Sequence, residues 1–277
     1  MNVIALASPV GGAGRTTMTA ELASLLVLRG HTVLAVECDP GNMLGLHFGL
    51  GMPAVSGLAS HGAGRSSSAW AEAGLRSDDG VLFVPWGAEG SDETALSPGP
   101  SPALRERGGD ALTRRLLDDP QWLRGLLAQL ALPANAIVLV DSPPWPSVHA
   151  RQALTAADLA LLVAPPTPQA CAALPALRQA LTDRDTGFAF VATRVQPARP
   201  LHADVLALLR ATMGDAMLPY LVHADTGLPD ALARGESFCR STPHSQAAHD
   251  LHGIAAWLSH WATQRAHTAR GRRGGDR

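Results

Sequence analysis

The sequence predicts an α/β fold in which a doubly wound, mostly parallel sheet is flanked by helices. Three observations favour it: short β-branched apolar runs, longer helical patterns that alternate with them, and a glycine-rich turn directly after the first run. Polar residues rarely interrupt the apolar runs, as is typical of strands covered on both faces. These features indicate repeated βαβ units in a parallel sheet.

The apolar runs predict seven strands, and the amphipathic patterns between them predict four helices. We expect strands at residues 3–7, 32–37, 81–85, 137–141, 159–164, 188–193 and 218–222. We expect helices at residues 16–29, 112–130, 168–181 and 203–213. Gly30 follows the first helix, where a glycine commonly ends a helix.

We expect a single domain over residues 1–262. Residues 57–79 and 87–110 are rich in Gly, Ser, Pro and charge, which predicts flexible insertions. Residues 263–277 are basic and glycine-rich, which predicts a disordered tail. Trp257 and Trp261 lie on one helical face before that tail. Packing of this face on the core is favoured over a membrane-seeking helix, because the apolar stripe precedes the arginines of the tail.

Composition limits the classes of function. The chain has 277 residues, 46% hydrophobic and 17% charged, and its 22 basic residues are all arginine against 24 acidic ones. The lack of lysine excludes Schiff-base chemistry by a lysine. A formal charge of −2 argues against a specific nucleic-acid surface, which needs clustered positive charge. Without a signal segment or an apolar run of about 18 residues, we expect a cytoplasmic protein.

The glycine-rich turn predicts a phosphate site. A strand, a glycine-rich loop and a helix N-terminus together present backbone N–H groups to an anion, and the helix dipole adds to this attraction. Glycines also let the backbone approach phosphate oxygens closely. A tight turn without a ligand is the alternative. The candidate phosphate-binding residues are Gly11, Gly12, Ala13, Gly14, Arg15, Thr16 and Thr17.

Three segments resemble motifs of the deviant Walker-A ATPases, the MinD/ParA group. The loop V-G-G-A-G-R-T-T is similar to that group's K-G-G-x-G-K-T-T, and E-C-D-P-G-N after the second strand resembles D-x-D-P-Q-x-N. Strand 137–140 followed by D-S-P-P resembles its Walker-B strand. The resemblance implies a P-loop NTPase fold, binding of ATP with Mg²⁺, and a homodimer with ATP between the two monomers.

The resemblance also implies roles for individual residues. Thr16 would coordinate Mg²⁺, Asp141 would hold it through water, and Asp39 would orient the attacking water. Thr193 stands where the family often has an asparagine that contacts adenine, and Pro219 would flank the base. The alternatives are structural: Asp39 begins an Asp-Pro turn, Asp141 caps a strand, and Thr193 is an ordinary strand-end residue.

Two departures from the family motif affect the expected activity. Arg15 replaces the P-loop lysine, which keeps the positive charge but changes its shape. Val10 replaces the lysine that reaches across the dimer to the partner's phosphates, so that charge is lost. We therefore expect nucleotide binding with at most slow ATP hydrolysis.

A narrower resemblance comes from later segments. L-P-Y-L-V-H-A-D with L-P-D-A-L-A, S-Q-A-A, and N-M-L-G-L-H-F after the second strand look like the BcsQ (YhjQ) family of cellulose-biosynthesis proteins. This implies an accessory protein that serves assembly, localisation or activation of the bacterial cellulose synthase. Its partners would be a second copy of itself, other cytosolic subunits and the inner-membrane synthase, which would recruit it to the membrane indirectly.

Two other functions stay open from the sequence alone. One is a MinD/ParA-type ATPase that positions DNA or other cargo. The other is a pseudo-ATPase that has lost nucleotide and acts as an interaction module. Retention of the glycines, Thr16, Asp39 and Asp141 together favours nucleotide binding over its loss.

Overall fold

A computed structural model describes residues 1–62, 70–88, 111–184 and 186–274. They form an eight-stranded sheet in the order β3-β4-β2-β5-β1-β6-β7-β8. Neighbouring strands are parallel except for β3, which is antiparallel to β4. The predicted doubly wound, mostly parallel fold is confirmed.

The strands are β1 Asn2–Ala7, β2 Val33–Glu37, β3 Leu75–Arg76, β4 Leu82–Val84, β5 Ile137–Asp141, β6 Leu159–Ala164, β7 Gly187–Val195 and β8 Met217–His223. The helices up to the middle of the chain are α1 Arg15–Leu28, α2 Leu44–His47, α3 Leu58–Gly62, α4 at 111–118, α5 Trp122–Ala128 and α6 Val148–Ala156. The remaining helices are α7 Pro168–Thr182, α8 Pro200–Met213, α9 Gly227–Arg234, α10 Phe238–Ser241 and α11 Gln246–Gly274.

Helices cover the sheet on both faces, so the parallel strands contribute to two apolar cores. Along β1, Val3 and Ala5 belong to one core, whereas Ile4 and Leu6 belong to the other. This alternation follows the two-residue period of a strand. It explains why the strand sequences are apolar throughout.

The order of the strands fixes where a ligand site can form. β1 lies between β5 and β6. The strands β2 and β4 lie on the β5 side of it, and β7 and β8 lie on the β6 side, so the order of the strands reverses at β1. In such a sheet the crevice at the carboxyl ends of the strands, at the switch point, is the usual binding site. Leu6 pairs with Asp141, and Asp141 pairs with Glu37, so the ends of β1, β5 and β2 are level.

The expected helix at 112–130 is interrupted. α4 ends at residue 118 and α5 begins at Trp122, with Asp119 and Pro120 between them. Proline disfavours helical backbone at the residue before it and has no N–H to donate. The Asp119 carboxylate also accepts a bond from the Gln121 N–H at 3.0 Å, a local turn that competes with the helix.

The first expected insertion differs from the structure where it is described. Within 57–79, α3, a 3₁₀ turn at Trp70–Ala73 and β3 are ordered elements. Leu58 and Trp70 are buried against the core, so the prediction of a flexible segment is wrong for these residues. Residues 63–69 and residues 89–110 of the second expected insertion lie outside the described residues.

The expected disordered tail is also corrected. α11 continues to Gly274, so residues 263–274 are helical, and only 275–277 lie outside the described part. Arg265 ties this segment to the fold, because its guanidinium donates to Asp158 at 2.7 Å and lies 5.8 Å from the Trp261 ring centroid. The expected core packing of Trp257 and Trp261 is confirmed. No helix within the described ranges is both long and apolar enough to span a membrane.

Close packing of α11 on β8 gives a stability prediction. A Cβ at Gly253 would lie 2.3 Å from the Tyr220 ring, whereas a Cβ at Gly125 in α5 would meet nothing within 4 Å. We expect Gly253→Ala to lower the free energy of unfolding by about 1–3 kcal/mol through overpacking. Gly125→Ala, the matched control, should raise it by about 0.5–1 kcal/mol. Chemical denaturation measures both, and equal effects would contradict this packing.

Candidate functional site

The glycine-rich loop joins β1 to α1 in a conformation that only glycine adopts readily. Gly12 and Gly14 have φ of +67° and +86°, in the left-handed region. Gly14 is the N-cap of α1, and no side chain caps this helix start. No protein atom lies within 4 Å of a Cβ built on Gly11 or Gly14. The loop is therefore open on one side and leaves the N-terminal N–H groups of α1 without a side-chain partner.

A cavity of about 710 Å³ lies beside this loop, within the usual size range of ligand pockets. One end is formed by the loop and the start of α1, from Gly12 to Met18. The end of β7 lies beside this loop, and the end of β8 with α9 lines the rest, where Leu228, Pro229 and Leu232 supply apolar surface. A polar anion-binding end and an apolar end in one cavity suit a ligand with a phosphate part and a planar apolar part.

Arg15 is turned inward. Its Nε donates to the Ser142 carbonyl at 2.6 Å and its Nη1 donates to the Val10 carbonyl at 3.0 Å. Its Nη2 lies 3.8 Å from Asp39 Oδ2. Burial lowers the pKa of Arg15, and the nearby carboxylates of Asp141 and Asp39 oppose that change. The guanidinium thus connects the loop to the ends of β5 and β2.

Asp141 is fully buried at the end of β5, and no described group donates a hydrogen bond in ordinary geometry to either of its carboxylate oxygens. Burial raises its pKa to about 8; Glu37 and Asp39 add to this rise, and Arg15 opposes it. The Thr16 hydroxyl is close enough to oppose the rise too, but not in hydrogen-bond geometry. A buried carboxylate without a partner is costly, so this position fits a bound cation and its water ligands.

Asp39 and Glu37, at the end of β2, have different partners and different burial. Asp39 is partly exposed, and its Oδ1 accepts from the Gly41 N–H at 2.9 Å, which is the Asp-Pro turn expected as one alternative. Glu37 is fully buried. Its two oxygens accept from the N–H groups of Met43 at 2.6 Å, Leu44 at 2.8 Å and Trp86 at 3.1 Å. The loop after β2 is therefore held by Glu37, and Asp39 keeps its second oxygen beside Arg15.

The two residues expected around a base differ in position. Thr193 lines the cavity, but its hydroxyl donates to the Ala13 carbonyl at 2.8 Å and so holds the loop. Pro219 lies on the exposed face of β8 and is not among the residues that line the cavity. The cavity forms at the carboxyl end of β8, where it is lined by Pro229 of α9 and not by Pro219.

Several cavity residues were not predicted as site residues. Arg194, Gln196, His223 and Asp225 all line it from the ends of β7 and β8. The His223 Nδ1 lies 2.7 Å from Oδ2 of the buried Asp250. The rule that ligands bind at the carboxyl ends of parallel strands was the available signal, since these residues end or follow two predicted strands.

The geometry also limits the kind of metal site. No group of three or more His, Cys, Asp or Glu residues in the described part of the chain could by itself hold a metal ion. Mg²⁺ commonly takes one or two protein ligands and completes its shell with water and substrate phosphates. Thr16 and Asp141 are compatible with such a site.

Comparison with known proteins identifies the family. A family model described as cellulose biosynthesis protein BcsQ matches residues 1–258. BcsQ of Escherichia coli K12 is 26% identical over 257 residues, which cover 93% of this chain and 94% of that protein. The chromosome-partitioning ATPase Soj of Thermus thermophilus is 27% identical, covering 91% of this chain and 93% of Soj.

Among solved structures, the septum site-determining protein MinD from Pyrococcus horikoshii, complexed with Mg-ADP, matches with a TM-score of 0.70 and 20% identity. That match covers 93% of this chain and 95% of MinD, and at this identity it establishes the fold alone. Because the family model covers nearly the whole chain, the protein belongs to the BcsQ family of cellulose biosynthesis proteins and has the fold of MinD/ParA P-loop NTPases.

Proposed function

We propose that this protein is an ATP-binding accessory protein of the bacterial cellulose synthase system that acts as a nucleotide-dependent dimer. Its role is assembly, localisation or activation of the synthase. The observation that carries nucleotide binding is the buried, unpartnered carboxylate of Asp141 next to Thr16 and the open glycine-rich loop.

The phosphates of the nucleotide lie against the loop, where backbone N–H groups of residues 11–17 and the α1 dipole attract them. Thr16 and Asp141 would hold Mg²⁺, the latter through water, and the ion would supply positive charge to the phosphate oxygens. The nucleoside occupies the apolar end near Leu228 and Pro229. The Mg-ADP complex of MinD, a structural neighbour, supports this arrangement of the fold.

Hydrolysis is slow or absent. Val10 offers no charge to a developing transition state, and Arg15 spends its Nε and Nη1 on the carbonyls of Ser142 and Val10. Asp39 remains the candidate for orienting the attacking water. Without a positive charge near the phosphates to stabilise the transition state, orienting the water accelerates hydrolysis little. The protein therefore acts as a binding switch, in which dimerisation follows occupancy by nucleotide.

The link to cellulose comes from family membership and from the names of its relatives. Contact with the inner-membrane synthase through other subunits is part of this proposal. The working partners are a second copy of this chain, cytosolic secretion subunits and the synthase, and the protein is cytoplasmic until they recruit it.

The first prediction concerns nucleotide binding itself. We expect ATP and ADP to bind the purified protein in a Mg²⁺-dependent manner in calorimetric titrations. Thr16→Val, which removes the candidate Mg²⁺ ligand, should weaken this binding at least about tenfold. Thr263→Val on the exposed face of α11 is the control and should bind as the wild type does. Failure of the wild type to bind ATP, ADP or GTP would favour the nucleotide-free interaction module.

The second prediction concerns Asp141. Between pH 4 and pH 8 its raised pKa means that the folded protein keeps a proton that the unfolded chain releases, so stability falls as pH rises through this window. Without Mg²⁺, Asp141→Asn should therefore raise the melting temperature at pH 8, by a margin that shrinks toward pH 4. At pH 8 the substitution should raise the free energy of unfolding by about 1–3 kcal/mol.

Asp118→Asn, at an exposed position of α4, controls for the loss of a surface charge. Asp141→Asn should also remove the Mg²⁺ dependence of nucleotide binding, which Asp118→Asn should preserve. A melting temperature of Asp141→Asn that falls below the wild type at every pH would contradict the unpartnered state of this carboxylate.

The third prediction concerns hydrolysis. Phosphate release from Mg-ATP should be near background for the wild type. The double variant Val10→Lys with Arg15→Lys restores both lysines of the family motif, and we expect it to release phosphate at least about tenfold faster. Leu208→Lys on the exposed face of α8 adds a charge far from the loop and should change nothing. An unchanged rate in the double variant would show that lysine loss does not limit turnover.

A further inference from the structure

The cleft lacks a free cation at the two positions where the motif expects one. Val10 carries no charge, and Arg15 is 7% exposed with its guanidinium bonded to two carbonyls and beside Asp39. A triphosphate with Mg²⁺ still carries negative charge, so backbone N–H groups alone would have to balance the remainder. Another positively charged side chain near the loop would remove this deficit.

Arg194 stands at that place. It lines the cavity, and it and Arg15 are the two arginines that do so among the described residues. Its Nη1 donates to the Gly12 carbonyl at 2.8 Å, which brings the guanidinium directly against the glycine-rich loop. Unlike Arg15, Arg194 is exposed, and no second hydrogen-bond partner for it occurs within the described residues. A guanidinium has five N–H donors, so donors remain for a ligand.

The backbone around Arg194 departs from regular strand geometry. Arg194 has φ of +54°, an uncommon value for a residue other than glycine. The register between β7 and β8 shifts between Ala192 and Val195, where three steps along β7 match two along β8. Such a bulge re-aims a side chain, and bulges are frequent next to functional sites. A non-glycine residue kept in this conformation at some cost in free energy indicates that its side chain is needed there.

We propose that Arg194 is a phosphate-binding residue of this cleft and supplies the positive charge that Val10 has given up. The proposal rests on the proposed nucleotide binding and adds to it the group that recognises the phosphates. Gly12 fixes one N–H of the guanidinium, and the remaining donors bind a phosphate oxygen of the nucleotide. The alternative is that Arg194 only braces the loop through the Gly12 carbonyl.

Charge substitution at one position separates these roles. We would measure the affinity for Mg-ATP and Mg-ADP of the wild type, Arg194→Lys, Arg194→Gln and Arg194→Gly by titration at several NaCl concentrations. The glutamine keeps an N–H donor without charge, and the glycine accepts the positive φ without strain. Arg178→Gln is the matched control, because Arg178 is a partly exposed arginine outside the cavity that also donates to a backbone carbonyl, that of Thr212 at 3.0 Å.

We expect Arg194→Gln and Arg194→Gly to bind Mg-ATP about tenfold more weakly than the wild type, and Arg194→Lys to retain most of the affinity. The affinity of both uncharged variants should also depend less on NaCl, since one screened attraction has been removed. Arg178→Gln should match the wild type in affinity and in salt dependence. Melting temperatures near that of the wild type would show that the variants are folded.

Three outcomes would overturn the proposal. Wild-type affinity and salt dependence in Arg194→Gln and Arg194→Gly would show that the cation is not used. Equal loss in Arg194→Lys and Arg194→Gln with an unchanged salt dependence would assign Arg194 to bracing the loop. A wild type that binds neither nucleotide would overturn the proposed function and this inference with it, whereas the first two outcomes leave the proposed function in place.

Discussion

Two carboxylates buried side by side at the ends of adjacent strands set the character of the site. Glu37 and Asp141 are paired in the β2–β5 register, and both are completely inaccessible to solvent. Burial raises the pKa of both. Glu37 is satisfied by three backbone N–H groups and so holds the loops after β2 and β4 in place. Asp141 has no such partner among the described residues, and this is the observation behind the Mg²⁺ site proposed next to the glycine-rich loop.

Arg15 connects two loops of the site, and its guanidinium is not free to bind a ligand. The planar guanidinium of Arg15 reaches two carbonyls on different loops and approaches Asp39, which a compact ammonium group could not do with one fixed geometry. This arrangement stabilises the loop and offsets part of the negative charge from the buried carboxylates. Positive charge at the surface of the cleft then has to come from elsewhere, and the bulge in β7 places Arg194 there.

Within a fold shared with the MinD/ParA group, side chains at the end of β7 make contacts that the family motif did not predict. Thr193 uses its hydroxyl to hold the Ala13 carbonyl, so the end of β7 supports the loop instead of offering an amide to a base. The end of β8, where the buried Asp250 fixes His223, and the segment after it also line the cavity. That segment carries the BcsQ-like sequence pattern. The BcsQ-like pattern therefore lies in a part of the chain that lines the cavity.

The sequence alone predicted seven of the eight strands found in the described residues, the helix after the glycine-rich loop, that loop itself and the positions of Asp39 and Asp141. Local patterns are sufficient for these features, because apolar periodicity and glycine content act over a few residues. One local signal was missed: Pro120 divides the helix expected at 112–130 into α4 and α5. The family was also recognisable from short motifs.

Only the tertiary structure decided which side chains are free to meet a ligand. Arg15 and Thr193 had the right positions in the sequence, yet their donors are used by carbonyls from segments distant along the chain. Pro219 lies outside the cavity, because the cavity forms at the carboxyl end of β8. Arg194 lines the cavity, next to the bulge in the pairing of β7 with β8. The helical course of residues 263–274 likewise includes a contact to Asp158, more than a hundred residues earlier. Hydrogen bonding and burial between distant segments are properties of the packed fold, and so no local pattern could have shown them.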